Sequence, residues 1–126
     1  MMKNFDYTKA RQFLERKEKN RKKVLVKRYN QAWQDSQEII KFIIERYNPK
    51  RIYQWGSLLD WEHFAEISDI DIALEGITSA DQIFEIYGSI MNMSDYSIDL
   101  VQMEKIAPEF AEIIKKKGKV VYERRE

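Results

Sequence analysis

The sequence predicts an α+β domain, a small mixed β-sheet packed by helices and preceded by one long N-terminal helix. Three observations carry this expectation. Neither Gly nor Pro occurs between Thr8 and Tyr47. Beyond Pro49, four short runs with strand character are each bounded by Gly or by polar turn residues. Segments of helical length and pattern separate those runs, which is the order of a sheet covered by helices, an α+β or α/β sandwich.

The first element spans about Thr8 to Tyr47. Its apolar residues Leu25, Tyr29, Trp33, Ile40, Ile43, Ile44 and Tyr47 recur at helical spacing. Before Leu25 only a few apolar residues, chiefly Phe13 and Leu14, break a polar run, so that half has little to pack against and should project. Asn48-Pro49 ends the helix, because the residue before proline is driven out of the α region. Arg51 to Trp55 is a strand stopped by Gly56. Ile70 to Leu74 alternates and stops at Glu75-Gly76, Tyr96 to Val101 alternates again, and Lys119 to Tyr122 forms the last short strand. Helices are expected from Ala80 to Met91, capped by Ser79, and from Pro108 to Lys117, with Pro108 in the first turn and Gly118 at the stop. Trp33, Tyr47, Tyr53, Phe84 and Tyr87 are assigned to the core, and Lys115, Lys116 and Lys117 to a helix C-terminus that favours cations.

At 126 residues and 15.2 kDa the chain has material for one core. With 44% hydrophobic and 34% charged residues it is neither disordered nor fibrous in composition. Zero Cys excludes disulfides, thiolate metal sites and cysteine nucleophiles. No apolar run reaches the roughly 18 residues of a membrane span and no apolar leader opens the chain, so a cytoplasmic location is expected. The single His63 cannot build a multi-histidine metal site and reads as a solvated loop residue. Any chemistry therefore falls to carboxylates.

A net charge of +1 conceals a division. Residues 3–28 hold eleven basic and three acidic side chains, net +8, and the rest of the chain is net −7. Such an arm is either a solvated charged helix or a surface for an anionic partner. Two parts are expected: residues 1–35, a basic helical extension, and residues 36–126, the folded domain.

The informative stretch is WGSLLDWEHFAEISDIDIALEGI. A strand runs into Gly56-Ser57, Asp69 and Asp71 lead a second strand eleven residues later, and YSIDLV sets Asp99 on a third. Side chains two apart on a strand share a face, with Cα atoms about 6.6 Å apart, so Asp69 and Asp71 point together while Ile70 and Ile72 face the core. Carboxylates converging from adjacent strands repel one another unless cations intervene. Magnesium suits them, because it takes oxygen ligands and binds through few carboxylates plus substrate phosphates. Two such ions can hold the attacking hydroxyl and the leaving pyrophosphate of a phosphoryl displacement, with Asp99 next to the hydroxyl. A Gly-Ser turn lets phosphate oxygens approach backbone N–H groups beside a hydroxyl. Alone, Asp-x-Asp and Gly-Ser are weak signals; their joint placement on three strands is specific. Trp61 and Phe64, in the loop beyond the turn, are candidates for nucleotide or partner contact.

GS-x11-DID followed by YSIDLV resembles the minimal nucleotidyltransferases of the DNA polymerase beta superfamily over about residues 36 to 123. The ending IDLVQMEKIAPEFAEIIKKKGKVVYER is similar to the C-terminal part of one bacterial subgroup. The resemblance implies that Gly56 and Ser57 hold nucleotide phosphates and that Asp69, Asp71 and Asp99 hold Mg2+. It also implies an antitoxin paired with a HEPN-domain toxin, moving AMP from ATP to a hydroxyl of that partner. The chain departs from the pattern after Ser57, where Leu58, Leu59, Asp60 and Trp61 replace a basic residue and a glycine. Two alternatives follow: a non-catalytic antitoxin that works by occlusion, and an RNA-directed enzyme that uses the basic helix. A homo-oligomer would be a further way to complete so small a site.

Overall fold

The computed structural model describes residues 6–61, 64 and 69–125. Helix α1 runs Tyr7–Tyr47, capped by Asp6, whose carboxylate accepts from the Lys9 N–H at 3.1 Å. It ends at Asn48, which takes the left-handed conformation ahead of Pro49. Strand β1 is Arg51–Trp55, followed by a single 3-10 turn, Gly56–Leu59. Strand β2 is Ile70–Glu75, helix α2 Ala80–Ile90, strand β3 Ile98–Gln102, helix α3 Pro108–Lys117 and strand β4 Lys119–Glu123.

The four strands lie in the order β3-β2-β1-β4, with β1 antiparallel to β2 and β4, and β2 parallel to β3. The sheet is therefore mixed, as expected of the fold class. Strand alternation divides the core. Ile52, Ile70, Ile72 and Leu74 pack with Ile39 and Ile43 of α1 and with Ile86 and Ile90 of α2. Tyr53 and Ala73 point the other way, onto Ile114 of α3 and Met103. Buried residues of α1 begin at Ala32, while between Tyr7 and Val24 every side chain except Ala10 is exposed. The amino half of the helix thus stands clear of the sheet. Among the described residues no helix is long and apolar enough to cross a membrane.

Three expectations need correction. Phe84 is 74% exposed, and Tyr87 and Met91 are exposed with it. These positions, three and four residues apart, form a stripe on the outer face of α2, whereas Ile86 and Ile90 take its inner face. Phe84→Ala should accordingly change unfolding free energy by under about 0.5 kcal/mol, against the 3 to 5 of a core phenylalanine, as read by urea denaturation. Phe64 is 4% exposed and sits in the core, so it is not available to a ligand. Strand β3 begins at Ile98 and not at Tyr96. The Tyr96 N–H is taken by the Ser94 hydroxyl at 3.1 Å, and its own hydroxyl donates to the Arg28 carbonyl at 3.2 Å, which ties this residue to α1 instead of to the ladder. Trp33 and Tyr47 are half-buried and Tyr53 is buried, as expected of core aromatics. His63 lies outside the described residues.

Candidate active site

The site is built at one end of the sheet by strand pleat and register. Asp71 is the second residue of β2 and pairs with Asp99, the second residue of β3, in the parallel ladder. Neighbouring strands lie about 4.8 Å apart, so the two carboxylates rise side by side from the face that α3 covers further along. Asp69 precedes β2 by one residue, is exposed, and acts electrostatically on Asp71. On the other side, Trp55 is the antiparallel partner of Asp71, which brings the following residue, Gly56, against the same carboxylate.

Gly56 has φ of +82°, and a Cβ there would lie 2.0 Å from Asp71 Oδ2. Only glycine supplies both the backbone conformation and the space. Gly56 therefore meets the Asp71 carboxylate at van der Waals range. Ser57 is half-buried, and its carbonyl accepts from the Asp60 N–H at 3.1 Å, closing the turn. Leu58 is fully buried in the α1-side core. The position after Ser57 is thus a packing position in this chain, and the cation missing from the motif has no place there without being buried.

Burial pushes the Asp71 carboxyl up from 3.8 to about 7, helped by the negative charges of Asp99 and then Asp69. Among the described residues, none of the three acids has an ion-pair or hydrogen-bond partner in the protein. Also among the described residues, no three acidic or histidine side chains stand close enough to cage an ion by themselves. An open arc of oxygen acceptors, one of them desolvated and uncompensated, is nevertheless the donor set that suits magnesium, which takes one or two carboxylates and completes its shell from substrate phosphates and water. In type, and in the in-register pairing of Asp71 with Asp99, the residues suit such an ion.

Sequence reasoning missed the groups that brace the turn. The Tyr29 hydroxyl of α1 donates to the Leu58 carbonyl at 2.8 Å, and the Tyr29 ring meets Trp61 and Phe64 edge-on at 4.9 and 5.0 Å. Trp61, 41% exposed, is the one member of this cluster beside the turn with a large free surface. Within the sheet, buried Gln54 accepts from the Ser36 hydroxyl at 3.0 Å, fixing α1 against β1. These contacts join residues 18 to 35 positions apart and carry no local motif; the helical spacing of Tyr29 signals only a core-facing residue. Tyr29→Phe should lower stability by about 1 kcal/mol in urea denaturation, the worth of one hydrogen bond, and loosen the turn without unfolding the sheet.

Residues 37–126 match the family model described as Polymerase beta, Nucleotidyltransferase. The chain belongs to this nucleotidyltransferase family. Its fold is shared with solved structures. One, described as a toxin-antitoxin with AMP-PNP, is 24% identical with a TM-score of 0.60, covering 71% of this chain and 74% of its own. Another is the complex of a tri-AMPylated Shewanella oneidensis HEPN toxin with its MNT antitoxin, at 22% identity and TM-score 0.55, covering 74% and 73%. A third, described as a putative nucleotidyltransferase from Sulfolobus solfataricus, is 15% identical with a TM-score of 0.51, covering 79% and 87%. No curated protein matches the chain in sequence. As a nucleotidyltransferase of this family, the chain shows the strand-borne acids and the Gly-Ser turn on one sheet end, and the long basic helix lies mostly before the matched region.

Proposed function

We propose that the chain is a Mg2+-dependent nucleotidyltransferase that moves AMP from ATP onto a hydroxyl of a HEPN-type partner protein, as the antitoxin of a toxin-antitoxin pair. The observation that carries this reading is the pairing of Asp71 with Asp99 in register, directly beside Gly56, where a Cβ would run into the Asp71 carboxylate. The fold neighbours that hold AMP-PNP or an AMPylated HEPN toxin support the choice of nucleotide and partner. Gly56 and Ser57 offer backbone N–H groups and a hydroxyl to the β- and γ-phosphates. Asp69 and Asp71 are the residues to hold magnesium, two ions with Asp99 as the third ligand, and bound metal would neutralise phosphate charge in the transition state. Asp99 is the residue to take the proton of the incoming hydroxyl. The hydroxyl oxygen bonds to the α-phosphorus as the bond to the bridging oxygen breaks, and pyrophosphate leaves. The partner or a second copy would enclose the acceptor and complete the site.

The direct test is transfer of label from α-labelled ATP to a co-expressed HEPN partner. Wild type should label it, and an Asp69→Ala, Asp71→Ala double variant should not; equal labelling refutes the mechanism. Burial of Leu58 where a cation was expected, together with Asp60 beside it, favours occlusion as a second reading. In that case calorimetry with ATP and Mg2+ shows no heat at millimolar nucleotide, while the partner is still neutralised.

A further inference from the structure

The projecting half of α1 takes no part in the site, yet five of its basic residues line one face of the helix. At 3.6 residues per turn, Lys9, Arg16, Lys19, Lys23 and Lys27 fall within about 80° of circumference and extend over about 27 Å of axis. This strip lies opposite the line of Ala32, Ile39 and Ile43 that faces the core. All five cations are exposed, and among the described residues none makes an ion pair. Glu15 and Glu18 lie outside the strip, as does the bridge from Arg21 to Glu18 at 3.8 Å. No apolar or aromatic side chain falls inside it.

We propose that this face binds the phosphate backbone of duplex DNA, without dependence on sequence. The proposal is independent of nucleotidyl transfer. Five like charges held unpaired on one rigid line call for an anionic partner of matching length. A protein partner is disfavoured because interface centres are depleted of charge and built on apolar anchors, which the strip lacks. Single strands are bound on aromatic platforms, which it also lacks. Between duplexes, the major groove of B-DNA, about 12 Å wide, admits a helix of about 10 to 12 Å, whereas that of A-form RNA is too narrow. Lysine and arginine stems then reach phosphates on either wall.

The test is fluorescence anisotropy of the full chain with a labelled 20-base-pair DNA duplex between 50 and 200 mM salt. Five phosphate contacts predict a slope of log K against log salt of about −4 to −5, or a loss of affinity of about 500-fold across that range. A Lys9→Gln, Arg16→Gln, Lys23→Gln variant should shed about three units of slope while circular dichroism shows an intact helix. Phe13→Gln, outside the strip, should leave the slope unchanged. The wild-type slope stands as evidence even if the triple variant loses helix. A slope near zero, an unchanged slope in the folded triple variant, or equal affinity for the single strand or for duplex RNA each overturns the proposal. Binding to polyglutamate but not to DNA overturns it in favour of an acidic protein.

Discussion

Asp71→Asn is expected to stabilise the metal-free protein and to abolish nucleotidyl transfer. The Asp71 carboxyl is pushed up to about 7 by burial and by Asp99 and Asp69, while in the unfolded chain it has its ordinary value of 3.8. The folded state therefore binds more protons than the unfolded state between those values. Unfolding free energy should fall as pH rises from about 4 to 7 and level off above, the reverse of a salt-bridged aspartate. An amide cannot ionise, so the variant keeps at neutral pH what the wild type loses. With allowance for the solvent that reaches this half-buried group, the gain is about 1 to 2 kcal/mol, or several degrees in melting temperature. At pH 4 the two proteins should melt alike. Transfer activity should drop by about a thousandfold or more, because the amide offers no anionic oxygen to a hard cation. Thermal melts of both proteins at pH 4 and pH 8, set beside the labelled transfer assay, check both halves. A residue whose removal stabilises the fold and destroys activity is one retained for function.

Gly56→Ala should damage fold and site together. Alanine at φ +82° bears a left-handed penalty of about 1 kcal/mol or more. Its Cβ would fall 2.0 Å from Asp71 Oδ2 and 2.9 Å from Asp71 Cγ, so the short side chain must swing out of the register that sets it beside Asp99. A combined loss of about 2 to 3 kcal/mol is expected in urea denaturation, with ATP binding by calorimetry lost at temperatures where the variant is still folded. Asp71→Asn in the same background should recover no nucleotide binding, because the backbone approach and the ligand are separate requirements.

The elements were legible where local chemistry decides them. The 3.6-residue spacing, Asn48-Pro49 and Ser79 set the helix limits, and the placement of Gly56, Asp69 and Asp71 on strand ends followed from a period of two. The pairing of Asp71 with Asp99 depends on how α2 returns the chain to lie parallel to β2, which spacing alone does not fix. Phe84 misled because aromatic character signals burial only on average, and the inner face of α2 was already filled by Ile86 and Ile90. Phe64 misled in the opposite sense, since it reads as a loop residue until Tyr29 arrives from 35 positions upstream to cover it. Tyr29 and Tyr96, which tie α1 to the Gly-Ser turn and to the approach of β3, left no trace in a motif for the same reason.

The most direct measurement is the electron paramagnetic resonance signal of Mn2+, used in place of Mg2+, titrated into the full chain with ATP present. Sites formed by Asp69, Asp71 and Asp99 beside Gly56 predict saturable loss of the free-ion signal, beyond what ATP alone removes, and its disappearance in both Asp71→Asn and Asp99→Asn. Retention of bound manganese in those two variants would place the metal elsewhere and contradict the account.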